Sequence, residues 1–157
     1  MRIITTLHKL PLIWLCGAGA FLAMGTLARR QLSDGAISFD THDIYYIEAY
    51  NLALVTPIAL FVFFATLYWV IGRLSHQRFP TWAGQLHFWM MLVGLSLSFF
   101  APIFLPLMGI PRRYTESAPF ETLVFLTNIG AWLTVASLAF FICFTTYYFI
   151  TKRRAKT

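Results

Sequence analysis

The side chains whose types could do chemistry fall into two small polar clusters. One is His42-Asp43, and the other is Arg112-Arg113 with Glu116 and Glu121 following. A hard divalent ion takes several oxygen ligands, and a lone histidine–aspartate pair supplies too few. A metal at His42 and Asp43 therefore needs a carboxylate from a partner chain, whereas loop structure and helix capping need nothing more. Paired guanidinium forks suit phosphate or carboxylate groups, so lipid phosphate or a local ion pair satisfies Arg112 and Arg113 most simply. His87 reads as a hydrogen-bonded interface residue, and His8 and His76 have no partner pattern. Cys16 and Cys143 both fall in apolar segments, where a thiol behaves as a small hydrophobe. No C-x-x-C or C-x-x-C-H spacing points to a zinc ribbon or to covalent haem attachment.

The elements that position these residues belong to a membrane protein. Of 157 residues, 59% are hydrophobic and 11% charged, against roughly 25% charged in a soluble domain. The net charge of +6 does not imply nucleic acid, because the basic residues flank long apolar segments and follow membrane topology. A bilayer core about 30 Å thick requires about 20 apolar residues of helix. Four segments meet that requirement, at residues 10–27, 47–71, 86–108 and 123–150. The expectation is an all-α integral membrane domain over residues 1–157. The first segment reads as a retained span rather than a cleaved signal.

The N-terminal stretch, the 72–84 connection and the C-terminal tail carry Lys and Arg without acids. The other two connections and their flanks carry all six acids with four arginines. Both termini are thus expected on the cytoplasmic side, with His42-Asp43 and Arg112-Arg113 together on the opposite face. Pro57, Pro102 and Pro106 lie inside apolar segments and should bend or locally unwind them. Gly17, Gly19 and Gly25, with Ala18 and Ala20, allow close helix contact and so a partner or self-association.

Four stretches taken in order carry a family resemblance: His42-Asp43-Ile44-Tyr45-Tyr46, Leu86-His87-Phe88-Trp89, Phe99-Phe100 and Pro111-Arg112-Arg113-Tyr114. Together they resemble the last four helices, nine to twelve, of subunit I of the haem-copper oxidases, the cytochrome c and quinol oxidases. The separation of Tyr50 from Arg112 equals that family's separation between its first helix-ten histidine and its first arginine. The resemblance places Arg112 and Arg113 at haem-propionate positions, His42 and Asp43 at a magnesium site shared between subunits, and Tyr50 and Leu52 where the family has two haem-ligating histidines. Positions two apart lie about 200° around a helix, which lets the family's two histidines serve two haems. Leu52 cannot coordinate iron. A phenolate at Tyr50 could, given a depressed pKa and a preformed pocket, but aromatic packing is the plainer role.

The resemblance implies a non-catalytic, subunit I-like accessory or structural subunit of a respiratory terminal oxidase. Its partners would be other membrane subunits of that complex, or further copies of itself, together with lipids. No bound cofactor is expected unless a partner chain supplies haem ligands. The family's copper ligands and proton-uptake residues belong to helices that this sequence does not contain, so alone it is not expected to reduce oxygen. Two other readings stand beside this one: the C-terminal piece of a split oxidase subunit I, and a lipid- or quinone-binding scaffold oligomer. The expected location is the bacterial inner membrane, with the mitochondrial inner membrane as the alternative.

Overall fold

A computed structural model describes residues 9–34, 44–74, 80–107 and 118–154 of the chain. They form four helices: α1 (Lys9–Asp34), α2 (Ile44–Leu74), α3 (Thr81–Leu107) and α4 (Ala118–Arg154). No strand occurs among the described residues.

Every helix except α3 overruns both ends of its expected apolar span. α1 continues from residue 27 to Asp34, and α2 runs to Leu74 rather than 71. The continuation of α2 shortens the expected 72–84 connection. The added turns contain good helix formers such as Ala28, Arg29, Arg30 and Gln31, and hydrogen-bonding continues beyond the point where hydropathy falls. At 31 residues, α2 is about 46 Å long, well beyond an apolar thickness of about 30 Å.

Helix ends follow local chemistry. Pro11 sits in the first turn of α1, where its missing N–H removes no intrahelical bond. The Pro80 carbonyl accepts from the Gly84 N–H at 3.4 Å and opens α3. Glu121 lies in the first turn of α4 and Arg73 in the last turn of α2, each complementing the helix dipole. The Arg73 guanidinium also lies over the Trp69 ring, 5.1 Å from its centroid. Pro57 does not end α2; the helix passes through it, with the ring fully buried. Likewise α3 remains helical to Leu107, past positions 102 and 106.

Three of the helices contain stretches long and apolar enough to cross a membrane, at Lys9–Leu27, Leu54–Arg73 and Glu121–Thr151. Threonines in the apolar segments fold their hydroxyls back onto their own helices. Thr66 donates to the Val62 carbonyl, Thr127 to Leu123 and Thr134 to Gly130, each at 2.9 Å. Such hydroxyls need no water.

The helices pack chiefly as two pairs, α1 on α2 and α3 on α4. Gly17 and Gly25 of α1 lie against the Phe61 ring and the Leu54 side chain of α2, where a Cβ would collide with them. The glycines of α1 thus serve contacts inside the bundle, except Gly19, which faces open space. The α3–α4 seam is closer still. A methyl group added at Gly94 would lie 2.6 Å from Thr134 Oγ1 and 3.0 Å from the Gly130 carbonyl oxygen. One added at Gly130 would lie 2.6 Å from the Gly94 carbonyl oxygen and 2.5 Å from the Ser98 backbone nitrogen. The outer surface is apolar and aromatic, with Trp132 75% and Phe125 63% exposed, as expected where lipid rather than water is the solvent.

Candidate functional site

The described residues bring a small polar cluster to the centre of the bundle, built around His87. The histidine projects from α3 with no exposed surface. Its Nδ1 lies 2.9 Å from Tyr68 Oη of α2, and its backbone carbonyl accepts from Ser137 Oγ of α4 at 3.1 Å. The two contacts cross 19 and 50 residues of sequence. One residue thereby joins α2, α3 and α4.

The imidazole is enclosed by aromatic rings. Phe141 of α4 stacks on it, with centroids 4.9 Å apart and 25° between the planes. Phe64 of α2 meets it edge-on at 4.7 Å. Trp14 of α1 meets it at 4.8 Å with a tilt of 46°, adding the fourth helix. Trp14 is itself completely buried and touches Phe61, Phe64, Tyr68 and Phe88. Offset and edge-on rings of this kind are worth about 0.5–1.5 kcal/mol per pair beyond the area they bury. Two polar atoms in this cluster have no partner, His87 Nε2 and Trp14 Nε1.

This is an interhelical clasp. A haem requires an axial donor able to reach its iron, and the donor set here does not fit that need. Leu52 has no donor atom. His87, the one histidine among the described residues, is wrapped by rings and bonded to Tyr68. No group of three or more His, Cys, Asp or Glu side chains able to hold a metal occurs among the described residues.

The structure confirms His87 as a hydrogen-bonded residue between helices. His42, Asp43, Arg112 and Arg113 lie outside the described residues. Positions 50 and 52 belong to the α2 helix, but the side chains of Tyr50 and Leu52 are also outside the described set. Reading the sequence for metal and anion ligands missed Trp14, Tyr68 and Ser137. A helical-period signal for two of them was available. Leu10, Trp14, Ala18 and Phe21 recur at the spacing of one face of α1, and Phe61, Phe64, Ala65 and Tyr68 at that of α2.

Four packed apolar helices clasped by a buried histidine define an integral membrane protein of the all-α class. The model of the cytochrome c and quinol oxidase polypeptide I family matches residues 1–142. The chain is 38% identical over 135 residues to the cytochrome c oxidase subunit 1 of Cereibacter sphaeroides, an alignment covering 85% of this chain and 24% of the relative. It is 27% identical over 126 residues to a Streptomyces coelicolor protein named as a cytochrome c oxidase subunit 1-beta, covering 78% of this chain and 22% of that protein. This chain belongs to the cytochrome c and quinol oxidase polypeptide I family. It spans about a quarter of the length of the relatives it matches.

Proposed function

We propose that this chain is a non-catalytic, subunit I-like structural subunit of a membrane terminal-oxidase complex. The observation that carries the reading is a conflict between family membership and side-chain chemistry. The match runs through residues 1–142, yet the two positions that resemble the family's helix-ten haem ligands hold Tyr50 and Leu52. In this reading the single four-helix domain crosses the membrane four times, with α3 completing the set. Both termini lie on the cytoplasmic side of a bacterial inner membrane, as the distribution of Lys and Arg favours. No haem is bound through the chain itself. Arg112 and Arg113 engage lipid phosphate or the neighbouring glutamates, and His42 and Asp43 structure the connection before α2. The partners are other membrane subunits of the oxidase, with lipid on the remaining surface.

Mild-detergent extraction of an affinity-tagged chain from native membranes, followed by identification of what accompanies it, tests the reading. Recovery with other oxidase subunits is the expected result. Recovery as a lone monomer would overturn it.

A second reading is favoured by one fact, that the chain spans about a quarter of its relatives' length. It would then be one piece of a subunit I whose other helices lie on another polypeptide. That arrangement leaves each haem without its helix-ten axial bond. It predicts that Tyr50→His with Leu52→His raises haem content and oxidase activity of the assembled complex. An unchanged haem content sinks it.

A further inference from the structure

α4 turns one side to the bundle and leaves the other bare. Gly130, Thr134, Ser137 and Phe141 meet α3 or its His87. Asn128 precedes Ser137, and Trp132 precedes Phe141, by nine residues, which is about 180° around a helix. They therefore stand on the opposite side, and both are exposed, Trp132 to 75%. Neither makes a hydrogen bond or ring contact with any described residue.

Their depth makes these bare groups costly. The apolar span of α4 runs from Glu121 to Thr151, with its midpoint at Ala136. At about 1.5 Å per residue, Trp132 lies about 6 Å and Asn128 about 12 Å from that midpoint, both within a hydrocarbon half-thickness of about 15 Å. No water meets the indole N–H or the carboxamide there. Polar side chains at such depth bond across to another helix, and tryptophans that face lipid otherwise gather at headgroup level.

The two side chains hold both halves of a self-complementary contact. An indole N–H only donates, and a carboxamide oxygen accepts. Four residues apart, they share a face, and helical side chains lean toward the N-terminus. That lean carries the Trp132 indole to the level of position 128. Copies of one chain insert with the same topology, so two α4 helices in one membrane run parallel. Around a twofold axis between them, Trp132 of each copy faces Asn128 of the other, and two equivalent bonds form. Phe125, Ile129 and Val135, also exposed, supply apolar contact around them.

We propose that this face of α4 is the interface between two copies of the chain, with Trp132 Nε1 of each donating to Asn128 Oδ1 of the other. This goes beyond the structural-subunit reading, which concerns the other subunits that accompany the chain and stands or falls separately.

Cys143 supplies a native reporter. It is exposed and follows Trp132 by eleven residues, about 20° away around the helix, so the two copies of Cys143 meet near the axis. With Cys16→Ser it is the sole thiol of the chain. Copper-phenanthroline oxidation of native membranes is expected to give a disulfide-linked homodimer. A Cys143 adduct to a different subunit would overturn the proposal, as would the absence of any adduct, which leaves the face to lipid. Fluorescence energy transfer between two labelled pools of the full chain in lipid vesicles is the second arm. Asn128→Val and Trp132→Phe, both outside the packed interior, are each expected to weaken self-association about tenfold with helix content unchanged, as loss of two interhelical bonds per pair implies. Trp89→Phe, on the exposed face of α3, should leave it unaltered. Undiminished transfer in Asn128→Val and Trp132→Phe would contradict the interface.

Discussion

Tyr68 Oη and His87 Nδ1 meet at 2.9 Å across the α2–α3 contact, in an interior where both residues are almost fully withdrawn from solvent. The bond joins the two helix pairs, whose shared core is otherwise made of aromatic contacts such as Phe64–Phe141 and Phe61–Phe88. Interhelical hydrogen bonds in bilayers average only about 0.6 kcal/mol, but deleting one partner here strands a buried nitrogen. Tyr68→Phe is therefore expected to destabilise the bundle by about 1–3 kcal/mol. Thermal unfolding in detergent checks this. Adding His87→Leu to Tyr68→Phe should cost less than the sum of the two changes, because the second removes the stranded atom.

The Trp14 ring touches five other rings and is fully buried. Trp14→Ala is expected to cost about 3–5 kcal/mol, the range for emptying a packed aromatic site. The readout is loss of α1–α2 association, detectable as weakened crosslinking between cysteines placed on those helices. Trp132→Ala, on the exposed face of α4, should leave that crosslink intact.

Gly94 and Gly130 let α3 and α4 approach to backbone contact. Either Gly94→Ala or Gly130→Ala forces backbone apart rather than a flexible side chain. Each is expected to lower stability by about 1–3 kcal/mol, read as a fall in melting temperature. Gly19→Ala meets nothing within 4 Å and should be neutral in the isolated chain. A loss of complex assembly on Gly19→Ala, with the isolated chain unaffected, would identify that face of α1 as a partner contact.

Much of the fold was legible in the sequence, and the reasons are physical. Hydropathy located all four helices because a bilayer leaves the backbone of an apolar segment few other structures. It did not locate their ends, since residues such as Arg29 and Gln31 favour helix beyond the apolar boundary. Pro57 does not interrupt α2, which stays helical through it. His87 was legible as a hydrogen-bonded residue, because an imidazole beside an apolar segment needs a partner, but its place at the fully buried centre of the bundle was not. Nor was the partner itself. Tyr68 and Ser137 lie 19 and 50 residues away, and only tertiary packing chooses them among the many hydroxyls present.

The distribution of charge predicts that a reporter fused to either end lies on the cytoplasmic side. Alkaline phosphatase and green fluorescent protein fusions after residue 157 check this, with fluorescence and no phosphatase activity expected. The opposite pattern would place His42, Asp43, Arg112 and Arg113 on the cytoplasmic face.

The central claim, that this subunit I relative is structural rather than catalytic, is tested most directly by a reduced-minus-oxidised absorption spectrum. The sample is the chain purified from native membranes and then separated from its partners. No haem band is expected from the separated chain, with haem remaining in the partner fraction. A stoichiometric haem band in the separated chain, abolished by Tyr50→Phe, would contradict the account.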